Sequence, residues 1–412
     1  MFLPYFILFV CLQLVCCAIK CDKETNECDA QERRYLIYGV NFGEGFNLRR
    51  DVYLRIAKRQ NFILVLPPWF TPHWKQNDWH NPKQWSEFFD LESMNRFVPV
   101  MEFADFLKES GDQVESTLYL QHYSEGWTSV EYELKYDLRP CMEADRYFEQ
   151  LDNGDFKSIA RSLRGATFKR LRCLSIQGES RTLVKAILEL EQSTKSMYVD
   201  RVETVLHDNF GDKFYWEARR SMRYANNLIA IGDKFRQEVL NSINNVDKTE
   251  LKPKWEDQKP KVGSAVGGDY LCVHWRRRDF STYAHKNDVP SIKGTVDQIE
   301  RLLSSLNLNT VFVSTDAEDQ EYRELNEQLS TLGIQVARFI NSTLSEGAVS
   351  IVDQWICSHS RYFIGTHVST FSYRIHEDRE ILGFDPLKTF NRLCPDNEAD
   401  CEQPAKWTIL YE

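Results

Sequence analysis

The chain has 412 residues, 42% hydrophobic and 13% aromatic, which allows two or three domains with real cores and excludes disordered and collagen-like classes. Its formal net charge of -10 makes a nucleic-acid partner a poor fit and sets any local arginine cluster against an acidic background. A small anionic ligand is compatible with such a cluster.

Phe2 to Cys17 is almost wholly apolar, and Cys16-Cys17-Ala18 offers small residues for cleavage. Residues 1–18 are therefore expected to be a secretory signal peptide. The run is short and contains Pro4, which argues against a stable span, and no later stretch is apolar enough to cross a membrane. Eight cysteines follow the signal. In an oxidising compartment three bridges are expected: Cys21 with Cys28, Cys141 with Cys173, and Cys394 with Cys401. Cys272, inside a strand pattern, and Cys357, inside an apolar helix pattern, are expected to be buried free thiols.

Tyr35 to Val40 favours a strand, and Asn41 to Gly45 a glycine-bearing loop. Leu48, Val52 and Ile56 then recur at helical spacing, and Phe62 to Leu66 is a second strand ended by Pro67-Pro68. Between residues 80 and 240 acidic helices and aromatic loops alternate without clear order. The segment 244–266, rich in Lys, Pro, Asn and Gly, reads as a hinge. Beyond it, strands at 270–275, 311–314, 334–340 and 362–365 alternate with helices, the last of them at 349–358 and 370–381. That alternation implies parallel sheets covered on both faces, with a division near residue 250.

Ligands of open α/β sheets sit outside the carboxyl ends of strands, and three motifs fall there. In Gly43-Glu44-Gly45-Phe46-Asn47 two glycines let backbone N–H groups approach a ligand before a helix N-terminus. Glu44 is either aimed into the crevice or a carboxylate complementing the helix dipole. His274-Trp275-Arg276-Arg277-Arg278-Asp279 ends a strand in three guanidinium groups, which either grip phosphate oxygens or pair with surface carboxylates. In Gly365-Thr366-His367-Val368-Ser369-Thr370-Phe371-Ser372 a strand gives way to a helix through hydroxyl residues that cap it or bind phosphate oxygens. Asp353-Gln354-Trp355 could offer a carboxylate and an aromatic face to a base or ribose. Asp316-Ala317-Glu318 is the nearest approach to a metal-binding DxD pair, but Arg276 can neutralise the same charge, so metal independence is expected. Neither a zinc ligand spacing nor a GxSxG nucleophile elbow is present. Asn341-Ser342-Thr343 is an N-glycosylation sequon.

The segments GEGFNLRRDVYLRIA (43–57), VLPPW (65–69), WSEFFDL (85–91), HWRRRDF (274–280), VFVSTDA (311–317) and IVDQWICSHSRYFIGTHVSTFSYRIHEDREILG (351–383) resemble, in order and over nearly the whole mature chain, the type-2 branch of the GDP-fucose protein O-fucosyltransferases. The resemblance implies a GT-B fold, with one Rossmann-like domain at 19–250 on the catalytic-base and acceptor side and another at 251–412 binding the donor. It implies an inverting transfer of L-fucose from GDP-β-L-fucose to Ser or Thr of folded thrombospondin type 1 repeats in secreted or cell-surface proteins. Such enzymes work as soluble proteins of the endoplasmic reticulum lumen. Glu44 stands at the family's catalytic base and Arg276 at its essential arginine. Gly43, Glu44, Gly45, Phe46, Asn47, His274, Trp275, Arg276, Asp353, Ser369, Thr370 and Phe371 match donor-binding motifs. Asp378 replaces a family glutamate, so whether it orients Arg276 or only packs is open. A glycan-directed fucosyltransferase and a chaperone-like binder of folded repeats are the competing readings.

Overall fold

A computed structural model describes residues 20–21, 28–29, 33–40, 46–50, 62–69, 82–126, 133–205, 211–282, 286–367, 369–398, 401–403 and 408–412. The signal segment and Gly43, Glu44 and Gly45 lie outside the described residues. Lys20–Cys21 pairs antiparallel with Cys28–Asp29, setting Cys21 opposite Cys28 in the backbone register, but the side chains needed for the expected bridge also lie outside them.

The first sheet comprises β1 (Tyr35–Tyr38), β2 (Ile63–Leu66), β3 (Val100–Glu102), β4 (Ser116–Gln121), β5 (Lys135–Arg139), β6 (Leu171–Gln177) and β7 (Ser196–Asp200), in the order β3-β2-β1-β7-β4-β6-β5. All neighbours are parallel except the edge pair β6 and β5. β1, β4 and β7 are buried along their whole length, as parallel strands covered on both faces must be. Alternation sends Leu36, Tyr38, Leu118, Leu120, Met197 and Val199 into one core, and Tyr35, Ile37, Tyr119 and Tyr198 into another. Phe148 and Phe168, from a small four-stranded sheet, close that second core. Cys141 and Cys173 form the expected bridge, tying the end of β5 to β6.

The second sheet comprises β8 (Gly268–Trp275), β9 (Thr310–Thr315), β10 (Gln335–Ala337), β11 (Ser360–Gly365) and β12 (Asn391–Arg392), all parallel, in the order β10-β9-β8-β11-β12. Helices Ile292–Leu306 and Asp319–Thr331 cover one face, packing Val296, Ile299, Leu303, Leu325 and Leu329 on Leu271, Val273, Val311 and Val313. On the other face lies Glu346–Ser358, whose N-cap Ser345 accepts a hydrogen bond from the Ala348 N–H. Helix Asn226–Leu240 packs against it although it precedes the 244–266 segment. The approach is close enough that a Cβ on Gly232 would meet the Trp355 ring at 2.6 Å.

One cysteine expectation fails. Cys272 and Cys357 are joined, with Cα atoms 5.2 Å apart, while Cys394 and Cys401 pair as expected. Cys272 alternates onto the face of β8 that meets helix 346–358, and Cys357 lies in the last turn of that helix, so two fully buried thiols are packed against each other. Linear spacing holds no trace of that proximity.

Candidate active site

In the second sheet the strand order reverses between β8 and β11, which places a ligand crevice outside their carboxyl ends. The two ends are locked together. Thr366 donates its N–H and its hydroxyl to the His274 carbonyl, at 3.0 and 3.2 Å, and accepts the Arg276 N–H on Oγ1 at 3.0 Å. A Cβ on Gly365 would lie 2.5 Å from Ser372 Oγ, so only glycine lets the first turn of helix Thr370–Leu382 settle this close to the strand.

That turn fixes His274. Its Nδ1 lies 2.7 Å from Ser372 Oγ, and the Ser372 hydroxyl hydrogen is already donated to the Thr366 carbonyl at 2.9 Å. Nδ1 must therefore be the donor, which leaves Nε2 as an acceptor. Phe371 stacks on the imidazole at 4.3 Å. Burial, and then the neighbouring Arg276 charge, push the His274 pKa down to about 3, so the ring is neutral throughout the physiological range. Trp275 turns the other way, as strand alternation requires, and is buried among Val273, Val313 and Leu303.

The three arginines separate into different roles. Arg277 has a side chain only 11% exposed. It is spent on Glu321 at 2.7 Å and the Pro290 carbonyl at 3.1 Å, and its guanidinium lies over the Trp275 ring. Arg278 reaches Glu318 at 3.7 Å. Arg276, with its side chain 34% exposed, bridges Asp279 and Asp316 at 2.7 Å each. Asp316 also accepts the Arg277 N–H at 2.7 Å. The carboxylate considered for a DxD pair is thus engaged with the arginine run. Among the described residues no group of three or more His, Cys, Asp and Glu is arranged to hold a metal ion.

Asp353 stands one strand over from His274. Ser314, which pairs with His274 in register, donates to Asp353 Oδ2 at 2.7 Å. Oδ1 is buried with no partner among the described residues, and burial raises the pKa to about 7. Its neighbour Trp355 is not presented to a base: it donates to Asp233 at 2.7 Å and lies under helix 226–240. Ser369 is the N-cap of helix 370–382; its carbonyl accepts the Ser372 N–H at 3.0 Å, while the Thr370 and Phe371 N–H groups, first in the helix, have no intrahelical acceptor.

The remaining expected residues lie on the seam between the halves. Phe46 is buried against Trp69, Phe88 and Phe89 of the first half. Asn47 reaches across to Gln354. Asp378 accepts from Tyr224 at 2.8 Å and is raised in pKa by burial, whereas the carboxylates that hold Arg276 are Asp279 and Asp316. Thr366, Ser372 and Gln354 fall within motifs read from sequence, but their contacts to His274 and Asn47, like the part played by Ser314, were not legible there, because each partner lies 39 to 307 positions away.

Residues 35–382 match the model of the family described as GDP-fucose protein O-fucosyltransferase. Among curated proteins, GDP-fucose protein O-fucosyltransferase 2 of Caenorhabditis elegans and that of Homo sapiens are each 46% identical, covering 93% of this chain and 91% of their own length. The Drosophila melanogaster protein of the same name is 36% identical over 92% of this chain. Among solved structures, POFUT1 in complex with GDP aligns with a TM-score of 0.57 at 14% identity, over 88% of this chain and 98% of that one. The two-sheet arrangement is accordingly the GT-B fold, and no helix of the described residues is long and apolar enough to cross a membrane. By the family match and the identity to its type-2 members, this chain belongs to the GDP-fucose protein O-fucosyltransferase family.

Proposed function

We propose that the protein transfers L-fucose from GDP-β-L-fucose to a Ser or Thr hydroxyl of folded thrombospondin type 1 repeats, with inversion and without a metal ion. The observation that carries this reading is the end of β8, where Arg276 and a neutral His274 stand beside the first turn of helix 370–382. A guanidinium and the leading N–H groups of a helix suit a diphosphate, and an imidazole acceptor suits a ribose or sugar hydroxyl. The unused Asp353 oxygen suits the N–H edge of a guanine.

In this mechanism Glu44, the base by resemblance, takes the acceptor hydroxyl proton as the acceptor oxygen bonds to fucose C1. The C1–O bond to the diphosphate breaks on the opposite face and GDP departs with the electron pair. Arg276 offsets the charge that grows on the leaving diphosphate. A carboxylate is a weak base toward a hydroxyl, so proton transfer belongs late in a step with oxocarbenium character. Gly43, Gly45 and Asn47, with Ser369, Thr370 and Phe371, complete the proposed donor contacts. The proposed site of action is the endoplasmic reticulum lumen, in keeping with the Cys141–Cys173 and Cys394–Cys401 bridges. Asn341 is the proposed glycan acceptor there; its Oδ1 accepts from the Thr343 N–H and hydroxyl at 2.9 and 2.7 Å.

The test is fucose transfer by the purified protein, with GDP-fucose and EDTA, to a folded repeat and to its reduced form. Transfer to the folded form alone is expected. Equal transfer to both would overturn conformational recognition, and binding without transfer would favour a chaperone-like role.

A further inference from the structure

The seam between the halves converges on one buried amide. Gln354, on helix 346–358, is fully buried, and all three of its side-chain hydrogen bonds go to residues outside the second sheet's own segment. Its Nε2 donates to Asn47 Oδ1 at 2.9 Å. Its Oε1 accepts from Arg50 Nη1 at 3.1 Å and from the Tyr224 hydroxyl at 3.0 Å. Asn47 lies within helix Phe46–Arg49 of the first half and Arg50 directly follows it. Tyr224 leads into helix 226–240, and its hydroxyl also meets Asp378 of helix 370–382.

Two features make this more than packing. First, Gln354 directly follows Asp353 on the same helix, so the segment that carries the unused carboxylate oxygen also grips the first half. Second, the amide's donor and acceptor are both used, and in opposite senses, so no apolar residue of that size can replace it without stranding buried polar groups on three elements. The Tyr224 hydroxyl has a single hydrogen and two acceptors within reach. Asp378 Oδ2 lies 2.8 Å from that hydroxyl and Gln354 Oε1 3.0 Å from it, so the two acceptors share its hydrogen. Asp378 is thereby the far end of the same chain of hydrogen bonds.

We infer that Gln354 is a positioning residue, which holds the residue 46–50 segment of the first half in register with the donor-binding helix of the second through Asn47, Arg50 and Tyr224. This rests on the functional reading above. Because Gln354 acts on the first half through Asn47 and Arg50 and makes no hydrogen bond to Arg276, His274 or Asp353, its loss should disturb the alignment of the first half and spare the proposed GDP contacts of the second.

The experiment compares Gln354→Ala, Gln354→Glu and Tyr224→Phe with the unaltered protein in single-turnover fucose transfer to a folded repeat at saturating GDP-fucose, with GDP affinity and the thermal melt measured on the same samples. Gln354→Ala should lower the transfer rate on the order of 10²-fold, the scale of an ångström-sized misplacement. Its GDP affinity should stay within about twofold, well inside the tenfold that 1.4 kcal/mol represents. Gln354→Glu should recover most of the rate, since a carboxylate still accepts from Arg50 and Tyr224 and the Asn47 amide can reverse to donate. Tyr224→Phe, which removes one hydroxyl, gives a smaller loss of the same kind should Gln354→Ala fail to fold. Transfer at the unaltered rate by the folded variants, or a loss of GDP affinity equal to the loss of rate, would overturn the inference alone. No transfer by the unaltered protein would overturn the functional reading and the inference with it.

Discussion

Asp353 gives the most quantitative handle on the proposed donor site. Its carboxyl is buried, keeps one oxygen without a partner among the described residues and titrates at about 7. If the ionised form accepts the N–H edge of a guanine, GDP binding must release the proton that the empty site carries. At pH 6 roughly one site in eleven is ionised and at pH 8 roughly ten in eleven, so GDP affinity should rise about tenfold between them, about 1.4 kcal/mol. Titration calorimetry of GDP at several pH values checks this, and in buffers of different ionisation enthalpy it counts the protons released. GDP has its own phosphate titration, so the decisive quantity is the difference from Asp353→Asn, in which the carboxyl contribution vanishes. The sign for folding is opposite. A carboxyl raised above its ordinary value favours the protonated native state, and that stability is fully present below ~3.8 and lost as pH rises through about 7. Asp353→Asn should therefore gain stability relative to the unaltered protein at pH 8, by at most about 4 kcal/mol. Parallel pH profiles of GDP affinity for the two proteins would refute the assignment of Asp353 to the base.

Arg276→Ala should cut the transfer rate about 10²- to 10³-fold, or ~3–4 kcal/mol, with the melt little changed, and steady-state assay with a folded repeat checks it. Ser372→Ala removes the acceptor that fixes the His274 Nδ1–H, so the ring can adopt the other tautomer; GDP affinity should fall on the order of tenfold without loss of fold, read by calorimetry. Opening the Cys272–Cys357 bridge with alanine at both positions releases a separation of 85 residues, for which the chain-entropy relation gives about 4.6 kcal/mol. The 7-residue separation of Cys394 and Cys401 gives about 2.4 kcal/mol on the same relation, so denaturant unfolding should rank the two variants in that order.

The second sheet was legible because its strands are continuous apolar runs, with β9 and β11 ending in Thr315 and Gly365. The stretch 80–240 was not, although it supplies β4, β6 and β7, the middle of the first sheet. The reason is visible in β4, where Ser116, Thr117 and Gln121 interrupt the apolar pattern yet are buried. Ser116 donates to Glu191 at 2.6 Å, and Gln121 donates to Ser175 and to the Pro140 carbonyl at 3.1 Å each. Polarity here marks internal pairing and not a solvent face, and the partners are 19 to 75 residues away. The Cys272–Cys357 bridge and the Gln354 amide were hidden for the same reason, since their meaning lies in a neighbour that only the folded chain brings near.

The arginine run shows how far composition can go and where geometry must take over. Three adjacent guanidinium groups look equivalent in sequence, yet Glu321 and Pro290 hold Arg277 while Asp279 and Asp316 hold Arg276 at the crevice mouth. Two carboxylates around one cation might suggest a site already neutralised and closed to anions. A guanidinium has five N–H donors, however, and among the described residues Asp279 takes one on Nη2 while Asp316 forms an ion pair at Nη1, so the fork is not exhausted and can serve the proposed diphosphate. The carboxylates therefore aim the fork without exhausting it. They also offset the Arg276 charge in the empty state, and in the proposed mechanism the balance tips toward the anion only as the leaving diphosphate gathers charge. A lysine at 276 has three donors on one rotating centre and cannot serve Asp279, Asp316 and the proposed diphosphate at fixed angles, which a planar fork can.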